Sequence, residues 1–239
     1  MTQGIPTIEE TATKIKTQGY WEIIIRPLKF EEKRLKTLKA CSDLVLENKV
    51  RFRGWDYPHV NSKYGVASGE SWVENVTDWD EHKEFWRMYQ SGQFYNVFGC
   101  WEDWWGPVQI FWSEKKQTEP RYGLEFLSTL YSLTEIYEFA SRLAEKHLFD
   151  EMLNISITLH GMRNRRIVTT EIRRSLFDIF LCRIENIALN KEVSVNELIT
   201  SNNEMAIDAT CYIFERFSWL EPPRRVLKEE QDKFLKGLY

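Results

Sequence analysis

The chain has 239 residues, 43% of them apolar and 28% charged, with a formal net charge of −4. That is enough apolar material to build a core, which excludes a largely disordered chain; the acidic balance excludes a polycation that would hold nucleic acid or anionic lipid over its whole surface. No apolar run approaches the ~20 residues that span a bilayer, and the start "MTQGIPTIEE" lacks the basic stretch and apolar core of a signal peptide, so a complete cytoplasmic chain is expected.

Residues 8–16 fit one short helix, interrupted at Gly19. "YWEIIIRPL" reads as a strand, because β-branched and aromatic residues run together until Pro27. Over residues 30–48, Leu35, Leu38, Cys41, Val45 and Leu46 recur at helical spacing beneath a charged face. "VRFRGW" is expected to be a second strand, which would make a strand–helix–strand unit with two parallel strands.

Glycine and tryptophan concentrate between residues 54 and 112. There "GESWVENVTDW", "EFWRMYQSGQFYNVFGCW" and "PVQIFWSE" read as strands between turns, with a hairpin at Ser91-Gly92 where glycine accepts a positive φ. Trp72, Trp79 and Trp86 are spaced like a helical stripe, but Thr77-Asp78 and the β-rich surroundings favour an antiparallel sheet. Ser132-Leu-Thr-Glu135 has the spacing of a capping box, followed by the apolar face of Ile136, Phe139, Ala140, Leu143 and Ala144. "LNISITLHG", "RRIVTT" and "LCRIENIAL" read as strands. Ser194 is expected to cap a helix from Val195, weakened at Asn202-Asn203; residues 205–217 and 226–238 are the last helices, divided by Pro222-Pro223.

No repeat or flexible linker divides the chain, so the expectation is one α+β domain over residues 1–239. Its central sheet would be mixed or largely antiparallel with helices packed on one side, the Trp/Gly-rich β region covering about 50–115 and a helical C-terminal region about 195–239. The four cysteines, Cys41, Cys100, Cys182 and Cys211, lie far apart among apolar neighbours, which fits buried thiols in a reducing compartment.

Three clusters carry possible chemistry. The first is "VRFRGWDYPHV". If extended, it puts Arg51, Arg53 and Trp55 on one side, a surface suited to a phosphate and a stacked ring, with Asp56 and His59 following at a turn shaped by Gly54 and Pro58. The competing interpretation has Trp55 and Tyr57 capping the core while the arginines pair with nearby acids. The second cluster is "HGMRNRRIVTTEIRRS", where Arg163, Arg165, Arg166, Arg173 and Arg174 stand against one acid. Phosphate contacts need that density of positive charge, although a solvated strand face covering an acid such as Glu135 or Glu138 would look the same.

The third is nuclease-like: Asp103, Glu114 and Lys116 resemble the spacing of the PD-(D/E)xK pattern, in which an acid pair holds Mg²⁺ and a lysine steadies the attacking water. The Pro-Asp signature is missing, and Trp104-Trp105 crowd the gap. His59, His82, His147 and His160 never fall at i, i+4, and no Gly-rich phosphate loop or nucleophile elbow occurs, so no metal, no cofactor and no catalytic residue are expected. Cys100 suits packing, and Trp101, Trp104, Trp105 and Trp112 suit either a sheet core or a ligand pocket.

"YWEIIIRP", "VRFRGWDYPHV", "FWRMYQSGQF" and "LTEIYEFASRLA" together are similar to an uncharacterised bacterial domain found beside AlbA-like or Schlafen-like nucleic-acid-binding modules. The likeness covers about residues 20–190 and brings no catalytic residues. It implies an accessory or sensing module in a nucleic-acid-linked or defence-type system. The leading expectation is therefore a non-enzymatic binding module for nucleic acid or a phosphorylated ligand, working with a protein partner. A metal-dependent nuclease or other hydrolase, and a protein–protein scaffold using exposed tryptophans, are the alternatives.

Overall fold

The computed structural model describes residues 6–79, 81–104, 123–170, 176 and 178–238. Helix α1 (Ile8–Ile15) opens with a capping box, Thr7 accepting from the Glu10 N–H while the Glu10 carboxylate accepts from the Thr7 N–H. Strand β1 (Tyr20–Pro27) buries Trp21, Ile23 and Ile25 at alternate positions. Helix α2 (Leu38–Asn48) starts later than the apolar spacing suggests, where the Thr37 hydroxyl accepts from the Ala40 N–H.

The segment after α2 departs from expectation. "VRFRGW" is not a strand: Val50 and Tyr57 exchange two backbone hydrogen bonds (2.8 and 2.9 Å), and residues 51–56 loop out between them. The charged side chains explain the loop, because Arg53 and Asp56 are bonded to a helix and to Lys49 rather than lying along a ladder. No parallel strand–helix–strand unit forms here. Gly54 is exposed and has no positive φ.

Strands β2 (Ala67–Ser68), β3 (Trp72–Asp78), β4 (Lys83–Tyr89) and β5 (Phe94–Gly99) form an antiparallel meander. Gly92 makes the β4–β5 turn at φ +85°, a conformation that other residues adopt at a cost. A 3₁₀ turn covers Trp101–Asp103. The proposed strand "PVQIFWSE" lies outside the described residues.

Strand β6 (Gly123–Glu125) leads into α3 (Phe126–Glu145), whose cap is the Glu125 side chain, accepting from the Ser128 N–H at 2.6 Å. Ser132 and Glu135 are therefore not a capping box; they lie inside the helix and face Arg53. Strands β7 (Met152–His160), β8 (Arg166–Val168) and β9 (Ile187–Ser194) follow. Of "LCRIENIAL" only the part from Ile187 is strand. Ser194 caps α4 (Val195–Arg216), which kinks at Ser201 beside Asn202-Asn203, and Pro222-Pro223 precede α5 (Arg224–Leu235).

Among the described residues the main sheet runs β2-β3-β4-β5-β1-β7-β9, every pair antiparallel, with β6 and β8 paired separately and in parallel. One face, carrying Trp21, Trp86, Phe94 and Leu159, belongs to a hydrophobic cluster shared with α2, α3, α4 and α5. On the other face α1 packs Ile8 and Ile15 against Val76, Phe85 and Val97. The fold is α+β with a largely antiparallel sheet, and most of its helices lie on one side. Among the described residues no helix is long and apolar enough to cross a membrane.

Candidate functional site

Two concavities lie at the end of the sheet where β1 begins. The first is a cleft between the helix-covered face and α3, lined by Trp21 and Phe98 from the sheet, Arg53, Trp55, Asp56 and Tyr57 from the loop, Trp101 and Glu102 from the 3₁₀ turn, and Ser128, Ser132 and Glu135 from α3. Its free space is ≈ 50 Å³.

Charged groups line this cleft where a core would be apolar. Arg53 Nε donates to both Glu135 oxygens (3.0 and 3.1 Å), and its Nη2 donates to Glu135 Oε2 (2.5 Å) and to Ser132 Oγ (3.1 Å). The Glu135 side chain is only 1% exposed. Burial raises its pKa above the ordinary carboxylate range in spite of the Arg53 guanidinium. Glu84 is also buried: Asn96 Nδ2 (2.9 Å) and the His59 N–H (3.2 Å) donate to Oε1, and His82 Nε2 lies 2.8 Å from Oε2.

Glu102 and Tyr57 are less satisfied. Burial pushes the Glu102 carboxyl up to about 7, against the Glu125 N–H (2.7 Å) and Arg165, which both favour its charged form. Its other oxygen bonds no other residue among those described. Tyr57 is 6% exposed, and its hydroxyl has no hydrogen-bond partner among the described residues. Trp55, 46% exposed, stands at the mouth with its ring 5.5 Å from His82, and His82 continues through His59 to Trp79 as a row of ring contacts.

The second concavity is an open, polar groove of ≈ 510 Å³ between the α1–β1 turn and the β7–β8 turn. Lys16, Gln18, Arg163 and Asn186 reach it, and Tyr20 and His160 form a stacked pair in its wall with ring centroids 4.3 Å apart. Arg163 is exposed and pairs only loosely with Glu185 (3.3 Å). Among the described residues Lys16 makes no ion pair.

Arg165 also borders the groove, but its head is turned inward. Nη1 donates to Asp103 Oδ1 (2.9 Å) and to the Gly123 carbonyl (3.0 Å), Nε donates to the Gly161 carbonyl (2.7 Å), and Nη2 closes a second bond to Asp103. Gly19 has to be glycine for this, since a Cβ there would sit 2.2 Å from the guanidinium, and its N–H donates to Asp103 Oδ2 (2.8 Å).

The arginine-rich surface expected from residues 163–174 is thus divided. Arg163 is at the groove, Arg165 is buried, Arg166 is half-buried on β8, and Arg173 and Arg174 lie outside the described residues. The first cluster is divided as well. Arg53 is tied to Glu135, while exposed Arg51 joins Lys49 on Asp56 at 2.7 and 2.5 Å. Burial works to raise the Asp56 pKa, and those two cations more than offset it, leaving the pKa lowered. His59 packs against Trp79 with both ring nitrogens buried and, among the described residues, unpartnered. Cys100 is buried, which holds its thiol well above the usual range and leaves no thiolate. Of the nuclease-like trio, Asp103 is committed to Arg165, and Glu114 and Lys116 lie outside the described residues. Among the described residues no three His, Cys, Asp or Glu side chains stand as a metal site.

Of the cleft acids, Asp56 was a sequence candidate and Glu135 was read as a helix cap or an arginine partner, whereas Glu84 and Glu102 went unrecognised; two of the four left a trace. Glu84 shares its strand parity with Trp86 and Met88, and Glu135 sits on the α3 stripe of Tyr131 and Phe139, so each is a charge at a core position. Comparison with known proteins finds no family model, no curated protein and no solved structure that matches the chain.

Proposed function

We propose that the chain is a non-enzymatic binding module for a phosphate-bearing ligand, nucleic acid included, and that the ligand occupies the groove beside the α1–β1 turn. The observation that supports this is the make-up of the groove: ≈ 510 Å³ lined by Lys16, Arg163 and a stacked Tyr20–His160 pair. Pockets of roughly 300–1,000 Å³ hold nucleotide-sized ligands. Lysine and arginine neutralise phosphate, and aromatic faces stack bases of any sequence. The Arg163–Glu185 pair is exposed, so exchanging Glu185 for a phosphate costs little.

The accessory, nucleic-acid-linked role implied by the bacterial resemblance agrees with this assignment, and four free cysteines agree with a reducing, cytoplasmic setting. The hydrolase alternative has less support, because Asp103 is held by Arg165.

Fluorescence anisotropy with labelled single- and double-stranded oligonucleotides and a labelled nucleoside triphosphate tests the proposal. Lys16→Glu with Arg163→Glu should weaken binding at least about tenfold and lower the salt slope by about 2, one for each lost phosphate contact. Loss on oligonucleotides alone would assign nucleic acid, and loss on the triphosphate as well would assign a phosphorylated ligand. No binding at low salt, or equal binding by the variant, would overturn the proposal.

A further inference from the structure

The cleft under Trp55 differs from the groove in size and in the charges that line it. It is small and less open: a cavity of roughly 150 Å³ accepts benzene, so ≈ 50 Å³ excludes a nucleotide and admits only a compact head group. Of the four acids in its lining, Asp56 is held by Lys49 and Arg51, Glu135 by Arg53, and Glu84 lies beside His82, while Glu102 makes no ion pair among the described residues. Arg53 turns Nε and Nη2 onto Glu135 and Ser132, so its charge is already matched by a buried carboxylate. Its walls are the rings of Trp21, Trp55, Phe98 and Trp101, whose faces attract positive charge.

The Tyr57 hydroxyl is the independent sign of a ligand. It is buried in the lining without a partner among the described residues, and a buried polar group left so costs about 1–3 kcal/mol. Nothing in the packing of the ring demands that oxygen, since phenylalanine would fill the same space.

We propose that the cleft is a second binding site, one that takes the head of an organic cation: a guanidinium or primary ammonium on an alkyl stem. The N–H groups of the head donate to the Tyr57 and Glu102 oxygens, the aromatic walls flank it, and the stem leaves past Trp55. Glu102 faces Arg165 and Glu125, and the arriving cation adds the positive charge that holds it ionised, so affinity rises as the pH passes upward through about 7. The site and its ligand are independent of the phosphate groove.

Isothermal titration of the full chain with arginine amide, butylamine, a short arginine-containing peptide and the neutral isostere citrulline amide tests the proposal. Arginine amide or the peptide should bind, with citrulline amide at least about tenfold weaker, which is about 1.4 kcal/mol. Tyr57→Phe and Glu102→Gln should each weaken the cation at least about tenfold while melting no lower than the parent chain, an outcome that a purely structural role would not produce. Equal binding of arginine amide and peptide would assign a small-molecule ligand, and binding of the peptide alone would assign the side chain of a protein partner. No cation bound up to about 10 mM, citrulline amide bound equally, or both variants binding like the parent would each overturn it.

Discussion

Arg163 and Arg165 stand two residues apart on the β7–β8 turn, yet the first is exposed at a groove rim and the second is 3% exposed beneath Gly19. The same contrast holds between Arg51, on the surface, and Arg53, held by a buried carboxylate. An arginine-rich stretch is therefore not one surface. A guanidinium that finds a buried acid becomes part of the fold, and only its neighbours remain available to a ligand. The energetic difference is large, because an exposed ion pair is worth roughly 0–1 kcal/mol whereas stranding one partner of a buried pair costs about 3–5 kcal/mol.

Arg165→Ala should break the contrast most severely. It leaves the Asp103 side chain, 1% exposed, without its counter-ion, and a loss of about 3–5 kcal/mol by urea unfolding is expected. A loss below about 1 kcal/mol would show that the pair does not belong to the interior in the way described. Arg53→Ala should cost somewhat less, roughly 2–3 kcal/mol at pH 8, since Arg53 is partly exposed. The sign with pH follows from Glu135. Its folded pKa is already raised by burial and rises further without Arg53, so the penalty should shrink as the pH falls and the carboxyl takes a proton. Melting curves at pH 4 and pH 8 would check this, and a penalty independent of pH would refute it.

Glu102→Gln probes the opposite case, a buried acid without a committed cation. The folded pKa of about 7 lies above the ordinary 4.5, so the native state holds the proton more tightly than the unfolded chain. Stability is then complete below about pH 4.5 and is lost as the pH rises through 7. Glutamine keeps an oxygen for the Glu125 N–H and carries no charge. The variant should match the parent near pH 4 and exceed it by up to about 3 kcal/mol at pH 8. A variant less stable than the parent at pH 8 would contradict the direction.

The smallest effects belong to the surface. Arg51→Ala and Arg163→Ala should each stay within about 0.5 kcal/mol of the parent. Gly54→Val should be tolerated for the same reason, since nothing lies within 4 Å of an added Cβ and Gly54 has no positive φ. Melts displaced by more than a few degrees would place these residues in the interior after all.

What could be read from the chain alone was whatever neighbours along it decide. A run of β-branched and aromatic residues marked β1, "LNISITLHG" held β7, Gly92 made the β4–β5 hairpin, and Ser194 and Pro222-Pro223 bounded the last helices. "VRFRGWDYPHV" misled because its alternation imitates a strand, while side-chain bonds to distant partners bend it into a loop. The apparent capping box at Ser132 misled for a related reason: Glu125, next to the first residue of α3, had already capped the helix.

Tertiary structure alone decided which charges are buried and what they meet. Arg53 and Glu135 are 82 residues apart, and Arg165 and Asp103 are 62 apart. Neither pair has a spacing signature, because each depends on the strand order β4-β5-β1-β7 and on where α3 crosses it. Local conformation was legible along the chain, since φ/ψ preference and side-chain parity act over a few residues. The sequence left open which arginine is structural and which is free, because burial and Coulomb attraction act through space, between segments that the fold first has to bring together.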